Sequence, residues 1–175
     1  MRYVELRRHT MRVKPGQHLS QAGVTLARRV GEGIGPFQRV VTSTIPRAYE
    51  TAIAMGFAVD EQLEELSYMT VAEVELPWDA GFARWAEAAR SAGSVQSYTQ
   101  SQAALITRIA RALPDEGAAL VVSHGGIVEA QTVGCLPQAD FSTWGAACDY
   151  CEGARLVFDG EQFVRGEVLR VQGEK

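Results

Sequence analysis

Two histidines in this chain close apolar runs: His9 follows two arginines in LRRHT, and His124 precedes two glycines in VVSHGG. Arginines accompany them, Arg8 beside His9 and Arg47 in STIPRAYETA. A neutral imidazole can attack phosphorus with one nitrogen while the other, kept protonated, donates to a carbonyl and fixes the tautomer. A dianionic phosphate must be held in line with that attack, and the guanidinium fork suits its oxygens in pairs. Catalysis is then largely positioning and charge stabilisation. A leaving alkoxide needs a proton, so a carboxylic acid with a raised pKa is expected above the phosphate. Phosphoryl transfer through a histidine is therefore the chemistry this set could perform.

These residues must be brought together by elements, and the apolar pattern supplies them. RYVELRR reads as a first strand and RVVTS as a second; AALVVS is a continuous apolar strand buried on both faces. HLSQAGVTLARRVGEGIG reads as a helix with Ser20 as N-cap, Ala22, Leu26 and Val30 on one face, and Gly31, Gly33 and Gly35 ending it. IPRAYETAIAMGF reads as a helix with Pro46 in its first turn, and GGIVEAQTVG opens another. In QSQAALITRIARALPDEG, Leu105, Ile106, Ile109 and Leu113 share a buried helical face. RLVFDGEQFVRGEVLRV reads as a hairpin about Asp159 and Gly160. The stretch from about Val59 to Ser101 is less regular: LPWDAGFARWAEAARSAG has helical character but also Pro77 and scattered glycines.

Strands alternating with helices predict an α/β fold, a three-layer α/β/α sandwich whose mostly parallel sheet carries an antiparallel edge. In such open sheets ligands bind beyond the carboxyl ends of the strands. Arg8 and His9 follow the first strand, Thr42 to Arg47 the second, and Ser123 to Gly125 the AALVV strand. Three strand ends thus bring two histidines and two arginines to one end of the sheet.

The 175 residues, 46% of them hydrophobic, predict a single domain with a substantial core. A net charge of −4 gives no electrostatic reason to expect nucleic acid or a membrane surface as partner. With neither a signal-like start nor an apolar span, a cytoplasmic protein is expected. Cys135, Cys148 and Cys151 are an odd number. CDYC lacks a second pair of ligands and a following helix, so free thiols are expected, with no metal and no cofactor.

RRHT, STIPRAYETA and VVSHGG, in this order, resemble the signature segments of the histidine phosphatase superfamily, the phosphoglycerate mutase-like fold. LSQAGVTLARRVGE is similar to the family's intervening helix. The resemblance implies that His9 is the nucleophile that becomes phosphorylated, that Arg8 and Arg47 bind the phosphate, and that His124 stabilises the transition state. In Leu63-Glu64-Glu65 it implies Glu65 as the proton donor, with Glu64 one residue away. Gly125 after His124 resembles the branch of mutases and small phosphatases and is counted with the phosphate-binding residues.

Departures accompany the resemblance. Thr10 stands where the family has glycine, and its hydroxyl is taken as a donor to the phosphate. Arg12 is similar to the second arginine of the other branch's pattern, although Lys14 and Pro15 follow, and is taken as a third cationic contact. The run SYMTVAEVE after Leu66 replaces the family's usual sequence, leaving a variable lid at about 64–100. Arg7 alternates with Arg8 on its strand, so it is read as a solvated or structural charge. His18 is read as polar surface; for Trp78, Trp85, Phe82 and Tyr68 the alternatives are lining a substrate pocket or packing the core or lid, and packing is taken as the default.

The expected activity is metal-independent hydrolysis of a phosphate monoester, with a phosphorylated small molecule as substrate and a phosphoprotein as the other candidate. A phosphoglycerate mutase is the rival within the chemistry, disfavoured because Glu64 to Gly93 holds only Arg84 and Arg90 as cations. A non-catalytic phospho-ligand sensor or scaffold is the rival from another class.

Overall fold

The computed structural model describes residues 1–69 and 76–173. Among the described residues, six strands and five helices follow one another in the order β1 Arg2–Arg8, α1 Gln21–Gly31, β2 Arg39–Ser43, α2 Pro46–Ala54, β3 Glu61–Leu63, α3 Phe82–Ala89, α4 Ser94–Arg111, β4 Ala118–Ser123, α5 Ile127–Cys135, β5 Gly153–Phe158 and β6 Phe163–Leu169. A 3₁₀ turn, Glu64–Leu66, follows β3. The sheet order is β3-β2-β4-β1-β5-β6. The first four of these strands pair in parallel, whereas β5 and β6 are antiparallel at one edge, as the hairpin pattern predicts.

Every residue of β4 is buried because the strand lies between β2 and β1 with apolar layers on both faces. Ala119 and Val121 join Val4, Leu6, Val41 and the buried faces of α3, α4 and α5 on one side. Leu120 and Val122 join Val40, Ala27, Ala48 and Ala52 on the other, under α1 and α2. That division is the three-layer sandwich, and it explains why β4 reads as an unbroken apolar run rather than an alternating one.

Ser20 caps α1, its side chain accepting from Gly23 N–H at 3.0 Å. Of the expected Ala22, Leu26, Val30 face, Leu26 and Val30 pack half-buried against the core but Ala22 is exposed, and the fully buried line is Gly23, Ala27, Gly31. A Cβ on Gly23 would lie 2.1 Å from the Met11 carbonyl oxygen, and one on Gly31 2.0 Å from that of Met55. The helix approaches neighbouring backbone so closely that only this four-residue spacing of small residues fits.

Helix α4 begins well before the expected segment, at Ser94, and buries Val95, Tyr98, Thr99 and Gln102 in addition to Leu105, Ile106 and Ile109. Of the four aromatics read as packing, Phe82 and Trp85 are core, but Tyr68 and Trp78 are exposed. Part of the expected lid, residues 70–75, lies outside the described residues. Arg7 is structural rather than solvated, donating to Glu5 at 2.5 Å and to the Cys151 carbonyl at 2.8 Å. Among the described residues, no helix is long and apolar enough to cross a membrane.

Candidate active site

Register alone brings the two histidines together. Arg8 on β1 pairs with Ser123 on β4, so His9 and His124 leave adjacent parallel strands at the same level. The His9 N–H donates to the Ser123 carbonyl at 2.9 Å, and the two ring centroids stand 5.2 Å apart. Strand β2 flanks β4 on its other side, bringing Ser43 to the same end.

His9 Nδ1 lies 2.7 Å from the Thr10 carbonyl oxygen, an acceptor only, so the proton resides on Nδ1 and the lone pair on Nε2. Arg47, in the first turn of α2, donates its Nε–H to that Nε2 at 3.1 Å. Ser43 fixes the second ring. Its oxygen accepts from the Ile45 N–H at 3.2 Å, and its hydroxyl stands 2.7 Å from His124 Nε2. If the hydroxyl donates there, as this arrangement favours, the His124 proton resides on Nδ1. That nitrogen is buried and has no hydrogen-bond partner among the described residues.

Both imidazoles are held neutral, with pKa values lowered to about 3. Burial is the main cause for each; nearby Arg47 and Arg8 add to it for both, with Arg12 acting on His9 and the neighbouring His9 ring on His124. An unfolded chain would bind both protons near the ordinary imidazole value of 6.5. It therefore binds more protons than the folded chain between about pH 6.5 and 3, so stability is full above that window and is lost as pH falls through it. Each ring contributes a slope on the order of 1 kcal/mol per pH unit. In phosphate-free buffer the melting temperature is expected to fall from pH 7 to pH 4.5, and to fall less steeply in His124→Asn. Parallel curves for the two proteins would contradict these assignments.

Three guanidinium groups surround His9. Burial, then Arg12 and Arg8, depress the pKa of Arg47, the signature of cations crowded together. Arg8 donates to the Cys148 carbonyl at 3.0 Å and lies under the Tyr150 ring at 4.5 Å and the Trp78 ring at 5.6 Å. Its Nε is buried and unpaired among the described residues. Among the described residues, the carboxylate paired with Arg8 is Asp149, at 3.9 Å and mostly in solvent. Arg12 is anchored to its own loop through the Pro15 and Gly16 carbonyls and acts on His9 and Arg47 electrostatically. Clustered cations around a nucleophilic nitrogen make a site for a multiply charged oxyanion.

A profile of the histidine phosphatase superfamily (branch 1) matches residues 5–168, nearly the whole chain. The chain belongs to the histidine phosphatase superfamily. Its fold is similar to that of phosphoserine phosphatase from Entamoeba histolytica, solved with 3-phosphoglyceric acid, at a TM-score of 0.71, 16% identity and 98% coverage of both chains. A mycobacterial glucosyl-3-phosphoglycerate phosphatase, solved with VO3, gives a TM-score of 0.64 at 17% identity, covering 98% of this chain and all of the other. No curated protein matches the sequence. Membership places the chain among enzymes acting on phosphate.

Within this superfamily member, the structure gathers His9, His124, Arg8 and Arg47, with Gly125 against the Arg8 side chain, where a Cβ would meet Nε at 3.4 Å. Thr10 requires a correction. Its hydroxyl donates to the Gly23 carbonyl at 3.0 Å and the residue is fully buried, so it secures α1 and is not available to a phosphate. The close approach of α1 at Gly23 provides that acceptor. Glu65 sits exposed in the 3₁₀ turn, its main-chain carbonyl held by Gln102 at 2.9 Å, while Glu64 accepts from the Thr44 hydroxyl at 2.8 Å. Exposed His18 is paired with Glu50 at 2.5 Å.

Sequence reasoning missed Ser43, Tyr150, the Cys148 carbonyl and Glu129. Ser43 ends a strand at the right edge, a signal that was available. Glu129, wholly buried on α5, accepts from the Gly126 and Cys148 N–H groups, both at 2.7 Å, tying the His124 loop to the loop that holds Arg8. Burial pushes its pKa up, opposed by those two N–H groups. CDYC thus supplies Arg8 with a carbonyl and a ring; its thiols are free and buried, and no group of three or more His, Cys, Asp or Glu suited to a metal occurs among the described residues.

Proposed function

We propose that this enzyme hydrolyses a phosphate monoester through a covalent phosphohistidine at His9. The observation that carries the reading is the His9 tautomer: Nδ1–H bonded to Thr10 leaves the Nε2 lone pair directed at the arginine cluster. In the first half-reaction Nε2 attacks phosphorus, the P–O ester bond breaks, and Glu65 gives the departing alkoxide its proton. Arg8, Arg47 and Arg12 neutralise the phosphoryl oxygens, and the His124 Nδ1–H donates to one of them. Gly125 lets Arg8 lie close to the loop that follows β4. In the second half-reaction Glu65, now a carboxylate, takes a proton from water as its oxygen attacks phosphorus; the P–N bond breaks and His9 returns neutral. Positions of the two rings and of Arg8 and Arg47 support the attack and the binding of the phosphoryl oxygens, whereas Glu65 as acid and then as base rests on the Leu63-Glu64-Glu65 pattern.

The test is release of inorganic phosphate from p-nitrophenyl phosphate, ribose 5-phosphate, AMP and 3-phosphoglycerate in buffer containing EDTA. Hydrolysis of at least one ester, insensitive to the chelator, is the expected result. Phosphate binding without turnover would favour a sensor, and transfer between phosphoglycerates in place of release to water would favour a mutase.

A further inference from the structure

We propose, resting on the phosphatase reading above, that the ester's alcohol carries a planar, uncharged ring system held by Tyr68, Trp78 and Tyr150. Large exposed apolar side chains are individually unremarkable in soluble proteins, but here two aromatic ones gather beside the reactive groups. Tyr68 is 56% exposed and Trp78 60% exposed. The Trp78 ring centroid lies 5.6 Å from the Arg8 guanidinium carbon. The half-buried Tyr150 ring is 4.5 Å from the same carbon and 6.0 Å from the His9 ring, within reach of a group attached to phosphorus on Nε2. Tyr68 and Tyr150 both stand close enough to Arg47 to influence its titration.

The charges nearby narrow the class. Asp149, mostly solvent-exposed, stands 3.9 Å from Arg8, and Glu64 is exposed on the turn after β3, so a leaving group bearing a carboxylate or a second phosphate meets like charge. A cationic alcohol is disfavoured for the opposite reason, since the Arg8, Arg12 and Arg47 guanidinium groups already crowd the site with positive charge. A neutral planar group suffers neither repulsion and gains stacking on rings whose exposed faces are otherwise in water.

The experiment compares esters whose leaving alkoxides match. AMP and ribose 5-phosphate both release a primary ribose oxygen, with and without a planar base. 2-Phenylethyl phosphate and 2-cyclohexylethyl phosphate separate planarity from bulk, and 3-phosphoglycerate and phosphocholine carry the disfavoured charges. The planar member of each pair is expected to have a kcat/KM about 10- to 100-fold higher, mostly through KM. In Trp78→Ala and Tyr68→Ala that ratio should shrink toward one. Equal kcat/KM within both pairs, a preference for 3-phosphoglycerate or phosphocholine, or a ratio untouched in both variants would overturn the proposal while leaving the phosphatase reading standing. No phosphate released from any ester, p-nitrophenyl phosphate included, would overturn both.

Discussion

Replacing His9 by asparagine is expected to lower kcat by on the order of 10⁴-fold while leaving inorganic phosphate binding within several-fold of the original. The variant loses the imidazole proposed to form the bond to phosphorus. It keeps Arg8, Arg47 and Arg12, which supply the charge that an oxyanion meets. Asparagine fills much of the same volume and can still donate to the Thr10 carbonyl, so the strand end need not collapse. Stopped assays for turnover and calorimetry for phosphate binding separate the two effects. Residual turnover within tenfold of the original would mean that His9 is not the nucleophile.

Replacing Arg8 by alanine is expected to cost on the order of 10²- to 10³-fold in kcat/KM, through both KM and kcat. Arg8 is half-buried, fixed by the Cys148 carbonyl and two aromatic rings, and retains an unpaired Nε among the described residues. A donor held this rigidly needs no reorganisation as charge develops on the phosphoryl oxygens. Arg8→Lys should recover less than tenfold of the loss, because an ammonium on a flexible stem cannot keep the Cys148 contact and present a second N–H in the same plane. Full recovery by lysine would show that only the charge matters, not the fork.

Much of this architecture was legible before any coordinates. The apolar run of β4 announced a strand buried on both faces, and parallel strands with polar residues after their carboxyl ends announced where His9 and His124 would meet. Ser20 marked the start of α1 because an N-cap is a local property of sequence. Other features were not local. The bond from Arg8 to Cys148 spans 140 residues, and nothing in CDYC signals that its carbonyl and tyrosine return to β1. Thr10 was misread for the same reason: the direction of its hydroxyl is set by how closely Gly23 lets α1 approach. The first turns of α4 escaped notice because SVQSYT is mostly polar and buries Thr99, which apolar periodicity does not count.

The central claim is that phosphorus bonds to His9 during turnover. It is tested most directly by mixing excess enzyme with p-nitrophenyl phosphate, quenching in alkali within one turnover, and mapping the phosphorylated peptide by mass spectrometry. The account predicts one phosphate, stable to alkali and lost in acid, on Nε2 of His9, and none in His9→Asn. A phosphate found on His124 or any other side chain, or hydrolysis that proceeds with no phosphorylated peptide at any quench time, would contradict it.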